Sequence, residues 1–228
     1  MVMIKKLINK IIRTHANILI NSEYDLQIQL RKKATQESLQ YIQKNMKDAI
    51  VFLTLEQLFE RLLPEIPSGL VLEFGVWKGK DITFIANHLP TKTIYGFDSF
   101  YGLPDHWTGW YGYKKHFNLN GVQPKVPKNV QLIKGNFSNT IKPFLKRQNH
   151  EIAFVHIDCN IYESAKTVLD NIGNRIKKDT IIVFDEYFNY PNWQQHEFRA
   201  FQEFTNKHSV NYDYIGFTPQ SEVAIKIL

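Results

Sequence analysis

A strand–helix–strand signature between residues 152 and 184 restricts this chain more than any other feature. Ile152 to Ile157 and Thr180 to Phe184 are apolar runs of strand length, and Tyr162 to Ile176 between them has helical spacing. Strands joined through a helix pair in parallel by a right-handed crossover, and such units carry ligands at the carboxyl ends of neighbouring strands. Both runs end in acids: Asp158 after the first, Asp185 and Glu186 after the second. Single acids also cap helices and end strands for purely structural reasons. Three carboxylates gathered at one end of a sheet would repel one another, however, and a hard divalent metal would neutralise them.

The same rhythm extends in both directions. Glu65-Ile66-Pro67-Ser68-Gly69 marks a boundary. After it come a strand at Leu70 to Phe74, a helix from about Gly79 to His88, and strands at Thr93 to Phe97 and Val130 to Ile133. The chain closes on Tyr212 to Phe217 and Val223 to Leu228, a hairpin on an otherwise parallel sheet. The expected fold is α/β, a mostly parallel seven-stranded sheet with a C-terminal antiparallel hairpin. Residues 1–66 form a helical N-terminal extension and 67–228 the main domain. Within the extension, Ile4 to Leu19 has helical spacing, a second helix spans Thr35 to Met46, and a third begins at Thr54 with a Thr54/Gln57 capping box and stops at Pro64.

Charge separates the two parts. The net charge is +6, and residues 1–50 hold nine Lys/Arg against four acids, so almost all the excess sits in the extension. A basic amphipathic helix can meet a membrane surface, nucleic acid or an acidic partner. Its apolar stripe equally suits packing on its own protein or a twin subunit, and a homo-oligomer through the N-terminal helices is expected. The charge lies far from the acidic strand ends, which argues against nucleic acid as substrate. No apolar run approaches the roughly 20 residues of a membrane span, and Lys5, Lys6, Lys10 and Arg13 interrupt any secretory signal core. The single Cys159 excludes internal disulfides and multi-cysteine zinc sites, in keeping with a reducing cytoplasm.

Residues 99 to 129 break the rhythm with Gly102, Pro104, Gly109, Gly112, Gly121, Pro124 and Pro127 among Trp107, Trp110, Tyr111, Tyr113 and Phe117. A loop of that length is commonly a lid or binding loop, and its rings could face a sugar or pack the loop onto the domain.

The turn after the first strand carries a cofactor signal. Gly75 and Gly79 form G-x-x-x-G rather than the dinucleotide fingerprint G-x-G-x-x-G, so phosphate cradling is less favoured. Asp98, 23 residues after Gly75 at the end of the second strand, can accept ribose hydroxyls. Glu73 suits a cofactor with a cationic amino-acid portion. Together they favour S-adenosyl-L-methionine over a nicotinamide nucleotide.

Longer stretches then align with a known family. Leu72 to Val76, Gly96-Phe97-Asp98-Ser99-Phe100-Tyr101-Gly102-Leu103-Pro104, Gly135-Asn136-Phe137, His156 to Ser164, and Asp185-Glu186-Tyr187 followed by Glu197, Ala200 and Phe204 resemble the macrocin O-methyltransferase family. The likeness runs from about residue 68 to the end. It implies a Rossmann-like, class I S-adenosylmethionine-dependent enzyme that methylates a sugar hydroxyl with Mg2+ at the substrate. By position it implies cofactor binding by Glu73, Gly75, Gly79, Asp98 and Ser99, with Asn136 and Phe137 bordering the adenine. It implies metal ligation by Asp158, Asp185 and Glu186.

Two positions depart from the family pattern, and one is Glu186, where members often have a second aspartate after Asp185; glutamate keeps the charge but reaches further. The other is Asn160, where the family has a second aspartate two residues after the first, a proposed general base. An amide cannot take a proton at neutral pH. Asn160 could orient the acceptor while a metal activates it, or a histidine could stand in, from His106, His116 or His196. His156 reads as a core residue and Cys159 as packing. Asp158, Asn160 and His196 are therefore the expected catalytic set. Two other readings remain: a homologue that binds cofactor without turnover, and a nucleic-acid methyltransferase.

Overall fold

The structure is a computed structural model that describes residues 24–110 and 112–228. The helix expected over Ile4 to Leu19 lies outside the described residues. The first described helix, α1 (Leu26–Asn45), begins nine residues before the expected Thr35. Asp25 explains the earlier start, because its carboxylate accepts hydrogen bonds from the Gln27 and Ile28 N–H groups. A two-residue strand β1 (Ile50–Val51) follows, then α2 (Leu55–Leu62). The Thr54 hydroxyl accepts from Gln57 N–H at 3.2 Å, as a capping box requires, while the Gln57 side chain accepts from Leu53 N–H at 3.0 Å. A 3₁₀ turn containing Pro64 ends this segment.

The main domain alternates strand and helix: β2 (Leu70–Phe74), α3 (Lys80–His88), β3 (Ile94–Asp98), β4 (Val130–Lys134), α4 (Phe137–Leu145), β5 (Ile152–Ile157), α5 (Tyr162–Ile172), β6 (Ile176–Phe184), α6 (Glu197–His208), β7 (Tyr212–Phe217) and β8 (Val223–Ile227). The strands form one sheet in the order β1-β7-β8-β6-β5-β2-β3-β4. Pairing is parallel except for the β6–β8 and β7–β8 pairs. The seven expected strands are all present, and β1 adds an eighth at the edge, parallel to β7. Strand β6 begins at Ile176 rather than Thr180 and α5 ends at Ile172, because the register shifts between Ile152 and Phe154 and lets Ile176 pair with Ile152. Among the described residues no helix is long and apolar enough to cross a membrane.

Strands β2 and β5 are buried at every residue, as expected of central strands covered on both faces. Part of the N-terminal extension shares this core. Ala34 and Met46 pack with the apolar side chains on one face of the sheet, and Leu58 and Phe59 with those on the other. Helix α1 is tied down further where Thr35 donates to Asn189 Oδ1 at 2.8 Å, the Ser38 hydroxyl accepts from Asn189 N–H at 2.9 Å, and the Tyr41 and Tyr214 hydroxyls lie 2.6 Å apart.

Backbone hydrogen bonds continue the ladder just past the strand ends. Gly75 N–H donates to Phe97 O, Asp158 N–H to Phe74 O and Asp185 N–H to Ile157 O, each at 2.9 Å. Gly75, Asp158 and Asp185 thereby sit in adjacent positions along one edge of the sheet. A Cβ at Gly75 would lie 1.6 Å from the Asp158 carbonyl oxygen, so only glycine lets these two tips approach so closely.

Candidate active site

A cavity of about 340 Å³ opens at these carboxyl ends. Seven of the residues expected to act line it: Gly75, Asp98, Ser99, Asn136, Phe137, Asp158 and Asn160. Asp98 is shared between the turn and the cavity. One carboxylate oxygen accepts from Val76 and Trp77 N–H at 2.9 and 2.8 Å, and the other from Phe100 N–H at 2.7 Å. A carboxylate has about four acceptor positions, so roughly one remains for a ligand hydroxyl. The Phe137 ring, also in the wall, stands edge-on to Phe74, with centroids 5.5 Å apart.

Asp158, Asp185 and Glu186 converge as the strand ends suggest. One oxygen from each lies within 4.8 Å of the others. The Glu186 Oε2 atom is buried with no hydrogen-bond partner. Burial pushes the pKa values of Asp158 and Glu186 well up, and the Asp185 charge adds to both shifts. Such a cluster holds more negative charge than its surroundings neutralise, and an orphaned buried oxygen faces no donor. Both features fit a hard cation bound by oxygen.

Other expected residues lie elsewhere. Glu73 does not reach the cavity: it is 1% exposed, and its carboxylate is 3.0 Å from His156 Nδ1. Burial raises the Glu73 pKa to about 7 against the pull of His156. Gly79 is not among the cavity-lining residues; at φ +78° it caps α3, and a Cβ there would touch Val126 and Pro124 at 3.3 and 3.4 Å. His196 is also outside the cavity wall. Its Nε2–H donates to Thr108 O at 2.9 Å, its Nδ1 is buried without a partner, and burial lowers its pKa. Neither ring nitrogen thus meets the cavity, since Nε2–H is spent on Thr108 O and the buried Nδ1 belongs to a residue outside the wall. Among the described residues no histidine lines the cavity.

The long loop packs onto the domain only in part: Tyr101 and Tyr113 are exposed, whereas Phe100, Leu103 and Trp107 are buried. Trp107 is buried with its ring centroid 5.5 Å from that of Tyr190, and the Arg31 guanidinium of α1 lies 4.7 Å from the Trp110 ring. Leu103, Pro104 and Phe117 reach the cavity, the last edge-on to Trp77 at 5.3 Å.

Two contributors escape a linear reading. His156 is fully buried, with Nε2 3.7 Å from Asp185 Oδ1 as well as Nδ1 on Glu73. Burial disfavours its charge, but the two flanking carboxylates overcome that and hold its pKa well above the usual histidine value. The ring stands behind the acidic cluster, between Glu73 and Asp185. Glu197, fully buried at the start of α6, accepts from Cys159 and Asn160 N–H on one oxygen at 3.1 and 2.9 Å. Its other oxygen accepts from Glu186 N–H at 3.2 Å. Burial raises its pKa to about 7 against those three bonds. In sequence Glu197 is one of the residues that carry the family resemblance, but an acid in a first helical turn does not by itself point to the amides it serves.

The chain belongs to the methyltransferase domain family, whose model matches residues 72–187. No curated protein matches its sequence. Among solved structures it is similar to the calicheamicin methyltransferase CalS11, with 23% identity and a TM-score of 0.60 over 75% of this chain and 76% of that one. An apo form of CalS11, described as a TDP-rhamnose 3'-O-methyltransferase, gives 22% and 0.53 over 75% and 76%. The O-methyltransferase NovP gives 18% and 0.56 over 75% of this chain and 78% of that one. At these identities the likeness establishes a common fold.

Proposed function

We propose that this protein is a Mg2+-dependent O-methyltransferase that moves the methyl group of S-adenosyl-L-methionine to a hydroxyl of a sugar-containing small molecule. The observation that carries this reading is the shared position of Asp158, which belongs both to the wall of the Gly75–Asp98 cavity and to the Asp158–Asp185–Glu186 cluster. A methyl donor in the cavity and a cation on the cluster would therefore meet at one residue. The TDP-rhamnose methyltransferase among the structural relatives is in keeping with a sugar acceptor. A cavity wall without Lys or Arg among the described residues, by contrast, offers no grip on a nucleic-acid backbone.

The chain's own residues divide the work. Gly75 lets the cofactor lie close to the backbone, and the spare acceptor of Asp98 takes a ribose hydroxyl, with Ser99 beside it. Asn136 and Phe137 border the adenine ring. Asp158, Asp185 and Glu186 would hold Mg2+, which supplies positive charge that lowers the pKa of a nearby hydroxyl. The cofactor supplies a sulfonium methyl open to in-line displacement. Asn160 orients the acceptor oxygen by hydrogen bonding, and Asp158 is the half-buried carboxylate of the wall that can take its proton. The setting we propose is cytoplasmic, and a homo-oligomer through the N-terminal helices is in keeping with the exposed Tyr24 just before α1 and the exposed Leu26 and Leu30 on it.

The test combines binding and turnover. S-adenosylhomocysteine is titrated with and without Mg2+, and a panel of nucleotide sugars and glycosides is read by the mass gain of one methyl group. Asp158→Ala is expected to abolish turnover while keeping cofactor affinity. Full turnover of that variant in chelator would sink the metal role.

A further inference from the structure

The cluster's geometry depends on two loops that leave the sheet in different directions. The last backbone bond between them is Asp185 N–H to Ile157 O. Beyond it, one chain turns through Asn160, at φ +63°, into α5, while the other continues through Glu186 toward Tyr187. Asp158 sits on the first loop, and Asp185 and Glu186 on the second. The Glu197 carboxylate spans the gap: one oxygen gathers the consecutive N–H groups of Cys159 and Asn160, and the other holds that of Glu186. Glu197 is fully buried, so these bonds face no competition from water.

We propose that Glu197 is a positioning residue for the metal site, a carboxylate clamp that sets the distance between the Asp158 loop and the Asp185–Glu186 loop. This rests on the metal reading above. The clamp needs an acceptor at both ends, which a carboxylate provides and a carboxamide does not. A glutamine in its place would keep one carbonyl oxygen for either the Cys159–Asn160 pair or Glu186, and would turn an NH2 group toward an N–H at the other end. The loops would then lose their common anchor, and the three ligand oxygens their fixed spacing. Groups that orient metal ligands from behind commonly change metal affinity by about 10- to 100-fold when replaced.

The experiment titrates MgCl2 into the full chain, wild type and Glu197→Gln, by calorimetry, with S-adenosylhomocysteine titrated in parallel. The expected result is Mg2+ binding weakened by about 10- to 100-fold in the variant, with S-adenosylhomocysteine affinity changed by less than about 3-fold. A residue that merely supports the fold would lower thermal stability without splitting the two affinities. Equal Mg2+ affinity in wild type and variant overturns the clamp and leaves the metal reading standing. Absence of Mg2+ binding by the wild type overturns both. If Glu197→Gln does not fold, amide exchange in the wild type decides. Slow exchange at Cys159, Asn160 and Glu186 supports the clamp, and exchange at the rate of open loops overturns it.

Discussion

Replacing Asp98 by asparagine separates the job it is seen to do, holding the turn after β2, from the one proposed for it, offering an acceptor to the cofactor. The wild-type carboxylate accepts three backbone N–H groups, two on one oxygen and one on the other. An asparagine carbonyl facing Val76 and Trp77 keeps two of these, but its NH2 then confronts Phe100 N–H. One part-buried donor is left unpaired, which costs about 1–3 kcal/mol, and partial exposure of the site puts the figure near 2 kcal/mol. In a chain of this size each kcal/mol corresponds to about 2–4 °C, so the melting temperature should fall by about 4–8 °C. The cofactor also loses a charged acceptor worth about 1.5–3 kcal/mol, or about a 10- to 100-fold weaker dissociation constant for S-adenosylhomocysteine. Differential scanning fluorimetry and calorimetry read the two effects separately. A melting temperature within about 1 °C of wild type would refute the turn argument. A clear loss of stability with unchanged S-adenosylhomocysteine affinity would refute the cofactor role and leave Asp98 a turn residue alone.

Three further outcomes follow from the acidic cluster. Glu73 and Glu197 are raised from 4.5 to about 7, and Asp158, Glu186 and His156 are also raised, so the native metal-free protein binds more protons than the unfolded chain across that window. Stability should therefore fall as pH rises from about 4.5 to 7, by up to about 1.4 kcal/mol per pH unit for each extra proton bound. Added Mg2+ should raise the melting temperature more at pH 8 than at pH 5, because its ligands must be deprotonated; a Mg2+ increment independent of pH would contradict this. Asn160→Asp keeps a side chain that tolerates φ +63° but adds a carboxylate beside the cluster. It should lower the metal-free melting temperature at pH 7 by a few degrees, on the order of 1–2 kcal/mol, and tighten Mg2+ binding, with turnover retained. Unchanged melting with and without Mg2+ would show that the side chain at 160 does not feel the cluster.

What could be read from the linear chain was what local chemistry records. The runs at 70–74 and 152–157, apolar except for Glu73 and His156, gave central strands because a strand covered on both faces is nearly continuously hydrophobic. Acids placed just after strand ends could be grouped because parallel strands bring their carboxyl ends together. Strand β1 escaped notice because two residues carry no periodicity, and the early start of α1 because Asp25 is a cap only once the backbone around it is known. The residues that escaped at the site share one property: their partners lie far away in sequence. Glu73 is an acid at the end of a cofactor strand, yet it points toward His156, 83 positions later. His156 read as a core residue and is one by burial, while its second nitrogen faces Asp185. Glu197 serves amides 37 and 38 positions before it, and no pattern in the chain encodes that bond. Sequence thus located the three acids that converge, whereas the groups packed behind them are products of the fold. A substitution at His156 or Glu197 should therefore disturb the cluster as strongly as one at a ligand, although neither residue is placed to touch the substrate.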